Sequence, residues 1–138
     1  IQADIVYLDA PLSLPAAYYN NGDSYHYREA DKLTRAMSPM FLGGLTARAM
    51  SLKHALKPLT FHEIYPAFFQ SEIVQSIHYK VDIHLFIAEL HHKERFVLAQ
   101  QPQNWHQVDA LIALLIGTRH QKNRHQEIGN PAEGIIII

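Results

Sequence analysis

The stretch Ile5-Val6-Tyr7-Leu8-Asp9-Ala10-Pro11 decides the fold. Four consecutive apolar, β-branched or aromatic residues read as a strand covered on both faces, the pattern of a parallel sheet rather than of a half-solvated antiparallel one. Proline ends the run, and Asp9 is left at its carboxyl end. Open α/β sheets bind their ligands just beyond the carboxyl ends of such strands, so Asp9 stands where chemistry is expected.

Working outward, Ser13 to Ser24 carries Pro15, Asn20, Asn21, Gly22 and Asp23 and reads as a polar loop leaving the strand end. Tyr27 to Met37 has Ala30, Leu33, Thr34 and Met37 at helical spacing, with Asp23 or Ser24 as its expected cap. Gly43-Gly44 opens a second helix striped by Leu45, Ala49, Leu52 and Leu56 and stopped by Pro58. Leu59 to Tyr65 is a second strand closed by Pro66, so strand, helices and strand form a parallel crossover. A short helix is expected over 67–75 and another around Val81, Leu85 and Ala88, while His91 to Ala99 stays ambiguous. Asn104, with Gln107 three residues on, caps a long helix running to about Asn123. Gly129-Asn130-Pro131 is a turn, and Gly134 to Ile138 a final strand.

A chain of 138 residues, 48% hydrophobic, suits one domain spanning 1–138. Twelve Lys and Arg against thirteen Asp and Glu give no global attraction to nucleic acid and no polybasic membrane footprint. There is no cysteine, which excludes disulfides, thiolate metal sites and cysteine nucleophiles and fits a cytoplasmic protein. No apolar run approaches a membrane span and the first residues do not form a signal peptide, so no membrane partner is expected.

Three acids interrupt apolar segments: Asp9, Glu63 in Phe61-His62-Glu63-Ile64-Tyr65-Pro66, and Asp109 in Val108-Asp109-Ala110-Leu111. Asp109 shares a helix face with Ile112, Ala113 and Ile116, so it requires a partner: a cation, a donor cluster or a metal. Carboxylates gathered from strand ends and a helix suit a hard divalent cation such as Mg²⁺ or Mn²⁺. The plainer alternatives are a turn acceptor for Asp9, a solvent-facing edge position for Glu63 and a helix-dipole role for Asp109.

The residues also carry a resemblance. Ile5 to Pro15, Tyr27-Arg28-Glu29-Ala30-Asp31-Lys32-Leu33, Leu45-Thr46-Ala47-Arg48, Glu63-Ile64-Tyr65-Pro66-Ala67, Val108 to Leu111 and Gly129-Asn130-Pro131-Ala132-Glu133-Gly134-Ile135-Ile136 follow one another in one order. Together they resemble an uncharacterised family of predicted nucleases with an RNase H-like fold, a domain of unknown function. The resemblance implies an α/β fold with a small mixed or parallel sheet flanked by helices, and a metal-dependent acidic site. Asp9 and Asp109 would be its metal ligands and, with Glu63, its catalytic acids; Arg28, Asp31 and Arg48 match recurring polar positions that meet phosphate or substrate. An Arg28–Asp31 salt bridge on one helix face is the equal alternative. The family's first strands, with an Asp-Gly type motif and a hairpin, have no counterpart here. The chain is therefore expected to be a fragment or a reduced member, and to expose a sheet edge that favours a homo-oligomer or another partner.

Ten histidines raise a competing metal-protein reading, but no His-x-x-x-His pair places two imidazoles on one helix face, so exposed or locally bonded histidines are expected. No Gly-x-Ser-x-Gly elbow occurs, and Gly43-Gly44 lacks the lysine of a P-loop. Two functions are left standing: a divalent-metal nuclease or phosphodiesterase acting on nucleic acid or a nucleotide, and a noncatalytic module that keeps the fold and binds a nucleotide or a protein beside Asp9.

Overall fold

A computed structural model describes residues 4–20 and 22–138. The chain folds as a mixed α/β domain: β1 (Ile5–Leu8), α1 (Glu29–Thr34), α2 (Pro39–Leu42), α3 (Gly44–Ala55), β2 (Thr60–Ile64), α4 (Pro66–Phe69), α5 (Ile83–Glu94), α6 (Trp105–Gln121), β3 (Glu127–Ile128) and β4 (Ile136–Ile137). The sheet order is β1-β2-β4-β3. β1 pairs parallel with β2, and β2 parallel with β4; β3 runs antiparallel to β4. The expected parallel crossover is present, and β1 lies at one edge of the sheet.

The two-residue period of the strands sorts side chains onto two faces. Tyr7 and Ile64 pack into the larger core with Phe69, Phe86, Leu90, Val108, Ile112, Ile116 and Ile136 to Ile138. Val6, Leu8 and Phe61 face the other way, onto Ala49 of α3 with Ala10 and Leu12. α6 is the central element of the larger core. Ile112 and Ile116 are completely buried, each contributing about 1.5–3 kcal/mol of apolar burial. Gly117 brings the helix against β1, since a Cβ there would stand 2.7 Å from the Tyr7 ring.

Several local expectations change. The helix expected over 27–37 is only Glu29–Thr34, with Arg28 as its N-cap residue; Asp31, not Asp23 or Ser24, accepts the Arg28 backbone N–H at 2.8 Å. The second helix does open at Gly43-Gly44, as α3, but a short helix not expected from the sequence precedes it: α2, capped by the Ser38 hydroxyl and ended at Gly43, whose φ of +37° leaves the helical region. The short helix over 67–75 is α4 running into a π-helical turn over Gln70–Val74. The last strand pairs in the sheet only over Ile136–Ile137. β3 is a pairing the sequence did not announce, because two residues are too few to show a period. Its ladder extends through reciprocal backbone bonds between Gln126 and Ile138.

Gly129 turns the chain between β3 and β4 at φ +110°, and a Cβ there would lie 2.6 Å from Ala30 Cβ and 3.0 Å from the α1 backbone. Gly129→Ala is therefore expected to lower unfolding free energy by about 2 kcal/mol or more, from the left-handed backbone and overpacking together, measured by urea denaturation.

Candidate functional site

The loop leaving β1 is held by a buried ion cluster. Arg28 is completely buried, and each of its five side-chain N–H donors is engaged. Nε donates to Asp31 Oδ2 at 3.1 Å, Nη1 to Ser13 Oγ at 2.9 Å and Glu63 Oε2 at 2.7 Å, and Nη2 to Asp31 Oδ1 and Glu63 Oε1, both at 2.6 Å. Burial works against the guanidinium charge, but the bonds to Glu63 and Asp31 outweigh it and raise the Arg28 pKa. Glu63 Oε2 also accepts the Leu12 backbone N–H at 2.9 Å. Glu133 closes the arrangement, accepting the backbone N–H groups of Ala16 at 2.8 Å and Glu29 at 2.9 Å. Four of the stretches carrying the resemblance thus meet around one guanidinium: the loop after β1, the start of α1, the end of β2 and the segment before β4.

Asp9 emerges from this support with no side-chain hydrogen bond to any described residue. Asp9 is exposed at the surface, with protein packed around the carboxylate on its inner side. Burial first, and the negative charges of Asp109 and Glu63, push its pKa up to about 6 against the relief supplied by Lys80. Asp109 sits in α6 with the Tyr79 hydroxyl donating to Oδ1 at 2.7 Å and the Lys80 ammonium donating to Oδ2 at 2.5 Å. The Tyr79 phenol is held protonated by burial and by its bond to Asp109, and the Tyr65 phenol is raised by burial and by Asp9. The acidic pair is therefore Asp9 with Asp109, and one exposed lysine is its counter-charge.

Glu63 is kept out of this pair by the pleat. It points to the same face of β2 as Phe61, toward Arg28, while His62 points to the α6 face. Asp31 is equally committed to Arg28. Arg28 retains no donor for a phosphate oxygen, whereas Arg48 is exposed on α3 and makes no ion pair with a described residue. Among the described residues no three His, Asp or Glu side chains converge as a metal-binding group.

Sequence spacing missed a histidine cluster altogether. His62 and His120 have ring centroids 4.4 Å apart, and His120 and His125 4.5 Å. The Tyr7 hydroxyl lies 2.8 Å from His120 Nδ1. Burial and mutual repulsion lower the pKa of His62 and His120. The rings meet at tilted and edge-on angles, an aromatic packing arrangement spanning β1, β2 and the end of α6. No local signal could find it, since β-sheet pairing and the helix end bring these residues together. Tyr79 and Lys80 gave no signal either, since they lie in the turn before α5 and meet Asp109 on α6 about thirty residues later in the chain.

No family model, no curated protein and no solved structure matches this chain. Among the described residues, no helix is long and apolar enough to cross a membrane.

Arg28→Met strands two buried carboxylates and is expected to cost about 3–5 kcal/mol in chemical denaturation. Arg28→Lys should recover little of it, because three donors on a point charge cannot reproduce a planar fork between two carboxylates. Asp9 gives a pH signature. Its folded pKa, about 6, lies above the ordinary value of 3.8, so the native state binds more protons between those values and loses stability as pH rises through that window. Asp9→Asn should melt higher than wild type above pH 6, with the difference closing by pH 4; a pH-independent difference would contradict the assignment.

Proposed function

We propose that the protein is an RNase H-like, divalent-metal-dependent nuclease or phosphodiesterase whose cation, Mg²⁺ or Mn²⁺, is held by Asp9 and Asp109. The observation that carries this reading is the Asp9 carboxylate at the carboxyl end of β1, without a hydrogen-bond partner among the described residues and raised in pKa by burial and then by the charge of Asp109 on α6. Two carboxylates whose charges act on one another, with one exposed lysine bonded to Asp109, form a site short of positive charge, and oxygen ligands of this kind suit a hard cation that keeps most of its waters. Such a cation, when bound, supplies charge to polarise a phosphodiester oxygen and acidify a water.

This chain's residues then divide the work. Asp9 and Asp109 bind; Glu63, Arg28 and Asp31 are positioning residues that fix the loop carrying Asp9; Arg48 is the exposed cation left to meet a phosphate. A cytoplasmic location and pairing with a second copy along the β1 edge belong to the same reading.

One observation favours the alternative of a noncatalytic nucleotide- or protein-binding module: Arg28 and Glu63 are spent on each other, which leaves two acids rather than three near the strand end. Titration separates the two. At ten times its dissociation constant, Mg²⁺ or Mn²⁺ is expected to stabilise the wild type by about 1.4 kcal/mol, a rise of roughly 3–6 °C in Tm. Asp9→Asn and Asp109→Asn should each abolish that rise together with cleavage of a panel of single- and double-stranded DNA and RNA. A wild type showing neither the rise nor cleavage sinks the enzyme reading, and binding without cleavage selects the module.

A further inference from the structure

A cavity of about 230 Å³ opens beside Asp9 and reaches the buried ion cluster. Its walls are apolar, with Met37, Leu42, Leu45 and Tyr65 among them, and Asp9, Asp31 and Glu63 also line it. We propose that this cavity is a nucleobase subsite that selects bases carrying an exocyclic amino group. The choice of a base among flat donor-bearing groups rests on the nuclease reading above; the donor requirement rests on the cavity alone.

Apart from the Tyr65 hydroxyl, the polar side chains of the cavity are carboxylates, which accept hydrogen bonds. Arg28 lines it too, but all five of its donors are taken by Asp31, Glu63 and Ser13. Asp31 Oδ1 and Glu63 Oε1 each accept a single N–H, from Arg28 Nη2, and each carboxylate oxygen has a second lone pair to offer. Asp9 adds another acceptor without a partner among the described residues. A guanidinium between two carboxylates leaves the cluster with a net negative charge, so a phosphate or a carboxylate is repelled from the cavity and must stay outside it.

What enters must therefore be flat or apolar and must present N–H groups. Small-molecule sites run to roughly 300–1,000 Å³, so a cavity below that range holds one ring system, with the rest of a nucleotide outside toward Asp9 and Asp109. Cytosine and adenine present an amino group on the edge that would meet the carboxylates. Uracil presents a carbonyl oxygen where cytosine has its amino group, and that oxygen faces the same carboxylates unfavourably. A site whose buried acceptors go unmatched discriminates strongly, because the unpaired polar group carries its full desolvation cost.

The test uses nucleosides, which carry no phosphate, on the full chain in buffer free of divalent cations. Cytidine and adenosine are expected to bind with dissociation constants at least tenfold lower than uridine, read by calorimetry or by amide shifts of residues lining the cavity. Leu45→Trp and, independently, Met37→Trp should fill the space and abolish that binding while circular dichroism and the Mg²⁺-induced rise in Tm stay as in the wild type. Equal affinity for the three nucleosides, binding of none of them, or binding of butylamine in their place would overturn the subsite. Failure here leaves the Mg²⁺ result untouched, and failure of the Mg²⁺ titration leaves the nucleoside result untouched, so the two proposals fall separately.

Discussion

Everything near the carboxyl end of the sheet depends on one buried guanidinium. Arg28 joins α1, the end of β2 and the loop after β1 through bonds to Asp31, Glu63 and Ser13, with Glu63 also holding the Leu12 backbone. A buried ionic cluster adds little stability compared with well-packed apolar side chains, because desolvation consumes most of the Coulombic gain. Its consequence is geometric. Any other placement of the loop would strand a charge or a backbone N–H away from water, so the segment that presents Asp9 has one low-energy arrangement.

That constraint also decides which acids can act together. Glu63 neutralises Arg28 on one face of β2, while α6 carries Asp109 across the other face to the end of β1. The three acids singled out by their apolar surroundings therefore separate into a structural acid and a charged pair. Lys80, 45% exposed and bonded to Asp109, partly balances that pair and also lies over the rings of Tyr79 and Trp105. The cavity adjoining Asp9 owes its predominance of acceptors to the same event, since the guanidinium has nothing further to donate.

Much of the architecture was legible from pattern. β1 and β2 announce themselves as apolar runs stopped by proline, and α6 by its Asn104 cap, whose side chain accepts the Gln107 N–H at 3.0 Å, followed by a long buried stripe. Such signals are local, and local hydrogen bonding with one buried face is enough to define the element. The capping of α1 was misplaced because its cap is Asp31 acting three residues back within the helix, and Asp31 is ordered by a guanidinium whose other partner, Glu63, lies 35 residues away. The start of α3 at Gly43-Gly44 was legible, whereas the four residues of α2 before it are too few to show a helical period.

The sequence by itself determined the elements, the parallel crossover and the candidate acids, because periodicity and proline placement are properties of neighbouring residues. It could not determine partnership. Whether Arg28 serves a phosphate or a salt bridge, whether Glu63 joins Asp9 and Asp109, and whether His62, His120 and His125 meet are questions about residues far apart in the chain. The tertiary structure pairs Arg28 with Asp31 and Glu63 and brings the three imidazoles together, through the direction of the strand pleat and the packing of α6 on the sheet. The reason is physical: a charge buried with the fold takes whichever partner the backbone brings within hydrogen-bond reach, and that is decided only when the sheet and its helices come together.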